Sequence, residues 1–125
     1  MKKIHNPQGV AQPIGPYSIS NIYEDLIFLS GQLPIENGEL IKGDVKKATK
    51  VIMEAIKTIL ESAGSSLDCV LKTTVFLKNM DDFGDMNEVY GQYFSNNPPA
   101  RSAIQVAKLP KDSDIEIELI AHIKK

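Results

Sequence analysis

The chain has 125 residues, of which 42% are hydrophobic and 24% are charged, with a formal net charge of −2 and a pI of about 5.6. This balance excludes a disordered chain, and the scattered lysines argue against a protein that binds nucleic acids by neutralising phosphates. The single cysteine, Cys69, excludes an internal disulfide and suits a reducing cytoplasm. Since no signal-peptide pattern or membrane-length apolar run is present, we expect one soluble, cytoplasmic domain over residues 1–125.

The first third of the chain has the pattern of short strands joined by turns. The stretches PYSIS and LIFLSGQL predict strands near 17–21 and 26–33, and a further short strand is expected at 39–41. Asn37 and Gly38 precede the last of these and are the residue pair most typical of a tight hairpin turn.

The middle of the chain changes to a helical period. Apolar residues recur every three or four positions from Ala48 to Ala63, with Asp44 as a candidate N-cap and Gly64 as a candidate stop, so a helix is predicted over 45–63. CVLKTTVFL then predicts a strand at 69–77. A second helix is predicted at about 82–95, ended by SNNPP, with an apolar face of Phe83, Met86, Tyr90, Tyr93 and Phe94.

The last stretch has the pattern of a long hairpin, with strands at 101–107 and 114–123. Each strand alternates apolar and polar residues, and the two apolar sets are expected to share one face. This pairing would place Arg101, Ala103 and Gln105 on the same face as Glu116 and Glu118.

Together these elements predict an α+β fold, a mixed β-sheet with two helices packed on one face. The helices can cover only one side of such a sheet. The other side would hold Arg101, the two glutamates and apolar groups such as Ile120, a mixture that suggests a subunit interface.

Arg101 is the only arginine among 14 basic residues. A guanidinium is a planar, permanently charged fork that holds a carboxylate through two parallel hydrogen bonds. Arg101 is therefore a candidate clamp for a small acid, and the alternative is a structural ion pair with Glu116 or Glu118. Either glutamate is a candidate general acid or base, or else a charge that protects a strand from aggregation.

Other candidates are weaker by themselves. Tyr17 follows a Gly-Pro turn, Gly31 interrupts an apolar strand within the stretch SGQ, and Asn87 lies on the second predicted helix. Cys69 is expected to be a buried, inert thiol, and His5 and His122 are too few and too poorly spaced for a metal site. Because no phosphate loop, nucleophile elbow or dinucleotide motif is present, we expect no metal and no cofactor.

Several stretches together resemble one known family. IGPYS, LSGQLP, VLKTTVFLKNMDDF, MNEVYGQYF and above all PPARSAIQVAKLPKDSDIEIELIA are similar to the reactive intermediate deaminase family. That family is also named RidA/YjgF, translation initiation inhibitor or endoribonuclease L-PSP, and the similarity covers the chain from about Ala11 onward.

The resemblance implies a chorismate-mutase-like fold, a homotrimer with a central barrel, and three clefts between subunits. It implies hydrolysis of 2-imino acids and enamines, such as 2-iminobutanoate and 2-iminopropanoate, to 2-keto acids and ammonia. By resemblance, Arg101 binds the substrate carboxylate and Glu116 is associated with the attacking water, while the cleft would be lined by Tyr17, Ser30, Gly31, Asn87 and Ala103. Ala103 departs from the cysteine that is frequent in the family at this position, so a thiol there is not required for the chemistry.

Two other classes of function stay open. A regulatory module that binds a keto acid without turnover would carry the same residues. An RNA-directed activity, suggested by the older family names, finds no basic stripe in this sequence. A chorismate mutase would share the fold but would need more positive charge for its dicarboxylate substrate.

Overall fold

The computed structural model describes residues 1–124, which contain eight β-strands and two α-helices. The strands are β1 (Lys3–His5), β2 (Ser20–Tyr23), β3 (Leu26–Gln32), β4 (Ile35–Glu36), β5 (Glu39–Leu40), β6 (Val70–Leu77), β7 (Ala100–Gln105) and β8 (Ile115–His122). The helices are α1 (Val45–Ser62) and α2 (Phe83–Tyr93). Neither helix of this part of the chain is long and apolar enough to cross a membrane.

The boundaries of α1 confirm the helix predicted from the sequence. The side chain of Asp44 accepts a hydrogen bond of 3.0 Å from the backbone N–H of Lys47, which caps the first turn. Gly64 follows the last turn with φ +82°, a backbone conformation that favours glycine. The predicted turn at Asn37 and Gly38 is confirmed too, since both residues have positive φ between β4 and β5.

The main sheet has the strand order β1-β2-β3-β8-β6-β7. All its neighbouring strands are antiparallel except β6 and β7, which are parallel and are joined by α2 as a crossover. The predicted hairpin of β7 with β8 is therefore wrong, because β6 lies between them. The alternation of residues set the faces of each strand in that prediction but contained no information on which strands pair.

Two differences concern the N-terminal third. β1 was not predicted, and the strand expected at 17–21 begins at Ser20. Residues 17–19 instead form the approach to β2, and β1 pairs with β2 from Lys3 to His5. A three-residue strand has too few residues for alternation to be recognised in a sequence.

Both helices pack on one face of the sheet, as predicted. Their apolar sides and the inward residues of β3, β6 and β8 form the core, with Ile52, Ile56, Val75, Ile117 and Leu119 among its buried members. The other face, which we call the open face, carries Glu116, Glu118 and Ile120 together with exposed Phe28 (42%) and Ile104 (44%). Within residues 1–124 no layer of helices or strands covers this face.

Candidate active site

A cleft of about 410 Å³ is bounded by β3, by the beginning of β8, where Glu116 lies, and by the loop that precedes β2. We call it the glutamate cleft. It brings together five residues that the sequence suggested, namely Tyr17, Ser30, Gly31, Glu116 and Glu118. Its other walls are supplied by Ala11, Gln12, Ile14, Ile19, Gln32, Leu33, Ile35 and Pro110.

A β-bulge in β3 creates the space for the Glu116 side chain. Leu29 pairs with Leu119 and Gln32 pairs with Ile117, so three steps along β3 match two steps along β8. Ser30 and Gly31 occupy the bulge. A Cβ placed on Gly31 would overlap the Glu116 carboxylate, so the carboxylate lies directly against the glycine backbone.

The environment of Glu116 changes its acidity. Burial in the cleft raises the pKa of the Glu116 carboxyl above its ordinary value, and the charge of Glu118 raises it further. Glu118 is two residues along the same strand and shares the open face. A carboxyl whose pKa is raised in this way is better able to exchange a proton near neutral pH.

Replacing Gly31 by alanine is expected to displace the Glu116 carboxylate and lower turnover about tenfold or more, because small displacements of reacting groups are costly. Steady-state kinetics of Gly31→Ala on iminopropanoate, the substrate that the family resemblance implies, would measure the loss. Gly84→Ala is the matched control, since an added Cβ there meets no atom within 4 Å. Equal kcat in the Gly31→Ala variant and wild type would show that the close contact between Gly31 and Glu116 does not affect turnover.

Ser30 has a structural role in the cleft. Its hydroxyl donates a hydrogen bond of 2.6 Å to the carbonyl oxygen of Ser18, and its backbone N–H donates one of 2.9 Å to the carbonyl of Ile19. Both bonds tie the bulge to the segment that follows Tyr17. Tyr17 itself is 48% exposed and lines the opening of the cleft.

A second pocket, of about 400 Å³, contains two more of the predicted residues, Arg101 and Asn87. We call it the arginine pocket. It lies between β7, α2 and the turn before β7, and its remaining walls are Tyr90, Gly91, Phe94, Pro98 and Pro99. Ala103 lines neither pocket, since it is partly buried and packs against the core.

The Arg101 guanidinium is held by α2. It donates a hydrogen bond of 2.8 Å to Oδ1 of Asn87, and its central carbon lies 4.8 Å from the ring centroid of Tyr90 and 5.4 Å from that of Phe83. Tyr90 is fixed in turn by a 2.7 Å hydrogen bond with the hydroxyl of Thr73. No carboxylate within residues 1–124 lies at ion-pair distance from Arg101, so its fork is oriented without being neutralised.

The expected meeting of Arg101 with Glu116 and Glu118 on one face is wrong. In the register of the sheet, Arg101 pairs with Thr73, whose side chain faces the helices, whereas Glu116 pairs with Phe76 on the open face. The stacking of the guanidinium on aromatic rings explains the error, because it lets a charged residue occupy the helix side of an edge strand. A single chain therefore holds two separate halves of the predicted site.

The aromatic support of Arg101 was not predicted from the sequence. Phe83 and Tyr90 were assigned only to the apolar face of a helix, and nothing in a sequence distinguishes a ring that packs in a core from one that carries a guanidinium. Among residues 1–124, no group of three or more histidine, cysteine or acidic side chains is arranged to hold a metal ion.

The chain is similar to known proteins over nearly its whole length. The family model described as endoribonuclease L-PSP matches residues 8–123. A RutC family protein of Pyrococcus horikoshii is 49% identical over 124 residues, 98% of each chain, and the 2-iminobutanoate/2-iminopropanoate deaminase of Homo sapiens is 44% identical over 110 residues, 86% of this chain and 80% of that protein. The crystal structure of E. coli TdcF with bound serine has a TM-score of 0.90 at 38% identity, covering 98% of this chain and 99% of that one.

Proposed function

This chain belongs to the endoribonuclease L-PSP family, also called RidA/YjgF, and on that premise we propose that it hydrolyses 2-imino acids and their enamine tautomers, among them 2-iminobutanoate and 2-iminopropanoate, to 2-keto acids and ammonia. The observation that carries this activity is the carboxyl of Glu116, which has a raised pKa and lies in an open cleft. The deaminase activity named for the human relative agrees with it.

The complete site is formed by two copies of the chain. One copy contributes the glutamate cleft, and a neighbouring copy contributes the arginine pocket, so that Arg101 faces Glu116 across a subunit boundary. The homotrimer expected from the family resemblance would provide three such sites. One feature of the open face supports association: the large apolar side chains of Phe28 and Ile104 are exposed on it.

The arginine pocket and the glutamate cleft have separate roles in the proposed hydrolysis. Arg101 binds the substrate carboxylate through its fork, and Asn87 keeps the fork in place. Water attacks the C2 carbon of the protonated imine while Glu116 accepts a proton from it, which gives a tetrahedral carbinolamine. Glu116 then returns the proton to the nitrogen. As the C–N bond breaks, the ionised Glu116 takes the proton of the C2 hydroxyl, so that the 2-keto acid forms and ammonia leaves, and this last proton passes to the ammonia to give ammonium. One water is consumed for each imine, so no redox partner or cofactor is required.

A trapping assay tests the activity. A serine or threonine dehydratase generates the imine in the presence of semicarbazide, which captures whatever has not been hydrolysed. We expect wild-type protein to lower the yield of semicarbazone in proportion to its concentration. If the yield were unchanged at any protein concentration, the protein would not be an imine deaminase, and a binding module without turnover would replace this function.

The pH profile tests the part played by Glu118. Because Glu118 raises the pKa of Glu116 and the base form must be ionised, removing that charge lowers the pH below which activity falls. We therefore expect the acidic limb of kcat/KM to move to lower pH in Glu118→Gln. Glu61→Gln, an exposed change on α1, is the control. An unmoved limb, or one displaced upward, would show that the limb does not report Glu116.

The description of the family model as an endoribonuclease provides a competing function. The net charge of −2 and the single arginine offer little for binding RNA phosphates. Salt-sensitive RNA binding and cleavage by nuclease-free protein, together with a negative trapping assay, would favour that activity over deamination.

A further inference from the structure

The segment that carries Tyr17 into the glutamate cleft has almost no regular structure of its own. It runs from Gly15 to Ile19 and joins β2 only at Ser20. Two sets of hydrogen bonds hold it from opposite sides. On the β3 side the partners are Ser30 Oγ and N–H, which bond the carbonyls of Ser18 and Ile19.

On the other side the partners come from the N-terminal strand. The ladder between β1 and β2 ends where His5 pairs with Ser20, and the Ser20 hydroxyl donates a hydrogen bond of 2.7 Å to the His5 carbonyl. One residue further on, the backbone has left the ladder, and the side-chain oxygen of Asn6 accepts the N–H of Ile19 at 2.7 Å. Asn6 therefore supplies from its side chain the acceptor that the strand no longer provides.

The hydrogen bond between the Ile19 N–H and Asn6 matters because its donor belongs to a core residue. Ile19 is 1% exposed and is a member of the core, while Asn6 is exposed at the surface, so the Asn6 side chain shields the Ile19 N–H from bulk water. Without this side chain only water could accept the Ile19 N–H, and water does not tie the segment to the N-terminal strand. Tyr17 is two residues away, and Ile19 itself lines the cleft.

We propose that Asn6 is a positioning residue for the glutamate cleft: by accepting the Ile19 N–H, it fixes the segment that places Tyr17 at the cleft opening. This role rests on the deaminase function proposed above. Asn6 acts through the backbone and does not touch the substrate. The requirement is for an acceptor oxygen at this position, which aspartate satisfies and alanine does not.

The kinetic test uses Asn6→Ala, Asn6→Asp and the double variant of Asn6→Ala with Tyr17→Ala. We expect Asn6→Ala to lower kcat/KM for iminopropanoate about tenfold, and Asn6→Asp to remain within about twofold of wild type. The double variant should be no worse than Tyr17→Ala alone, since both changes remove the same placement of the phenol. His5→Ala is the matched control, because that side chain bonds Ser62 on α1 at 2.9 Å and not the Tyr17 segment.

A readout independent of turnover separates this role from the deaminase activity. In protein labelled with 3-fluorotyrosine, the fluorine resonance of Tyr17, assigned with Tyr17→Phe, should move in Asn6→Ala but not in Asn6→Asp or His5→Ala. Should Asn6→Ala not fold, Asn6→Gln, which moves the amide by one methylene, is expected to shift the resonance in its place.

The outcomes are distinct. An unmoved Tyr17 resonance, or losses from Asn6→Ala and Tyr17→Ala that multiply in the double variant, would overturn the positioning role. A negative trapping assay with wild-type protein would overturn the deaminase function alone, because the fluorine spectra would still report whether Asn6 places Tyr17.

Discussion

Replacing Arg101 by lysine is expected to lower kcat/KM for iminopropanoate hydrolysis about 100-fold, which corresponds to about 2–3 kcal/mol for charge-assisted hydrogen bonds. Lysine keeps the positive charge but lacks the planar fork that holds a carboxylate through two parallel bonds. It also loses the contacts with the rings of Tyr90 and Phe83 that orient the guanidinium. We expect the loss mainly in KM, because the carboxylate is bound in both the ground state and the transition state.

Two further variants make this result specific. Lys50→Ala removes an exposed positive charge from α1 at a residue that lines neither pocket, and it should leave kcat/KM unchanged. Asn87→Ala keeps the fork but removes its hydrogen bond, so an intermediate loss is expected. Activity of Arg101→Lys within twofold of wild type would mean that Arg101 does not bind the substrate carboxylate.

Replacing Glu116 by glutamine is expected to remove activity and to raise stability. The loss of the proton-transfer group should lower kcat by about 10²- to 10⁴-fold. Because the pKa of Glu116 is raised in the folded chain, the folded state disfavours the ionised carboxylate. This cost is absent below the pKa of the unfolded chain and develops as pH rises through the folded pKa. Glutamine avoids it, as is common where function and stability conflict.

Thermal unfolding measured across pH tests the second half of this expectation. Glu116→Gln should unfold at a higher temperature than wild type at neutral pH, and the two should converge in acid. Glu61→Gln is again the control for the loss of a negative charge on the surface. A variant that kept its kcat, or that was less stable than wild type at neutral pH, would contradict the assigned environment and role of Glu116.

The sequence was sufficient for the parts of the fold that local chemistry determines. Asp44 and Gly64 marked α1, because a cap needs a side-chain acceptor and a stop needs a left-handed residue. Asn37 and Gly38 marked a hairpin for the same kind of reason. The placement of Tyr17, Ser30, Gly31 and Glu116 in one cleft agreed with the family resemblance.

The sequence did not predict which of the distant strands pair with each other. β7 and β8 are consecutive strands with matching alternation, yet β6 inserts between them through a parallel crossover. As a result, Arg101 lies on the helix side of the sheet, where its guanidinium stacks on the Tyr90 ring. The bulge at Ser30 and Gly31 and the hydrogen bond that the Ile19 N–H donates to Asn6 depend on register, which no local pattern encodes.

The central claim is that Arg101 of one chain and Glu116 of another form a single site, and mixing two inactive variants tests it most directly. Arg101→Ala and Glu116→Gln are unfolded, mixed in equal amounts and refolded together, with mass spectrometry to confirm mixed particles. With random assembly, about a quarter of the sites would pair an intact arginine pocket with an intact glutamate cleft. We expect about a quarter of the wild-type activity to return, whereas mixed particles that stay inactive would contradict a site shared between chains.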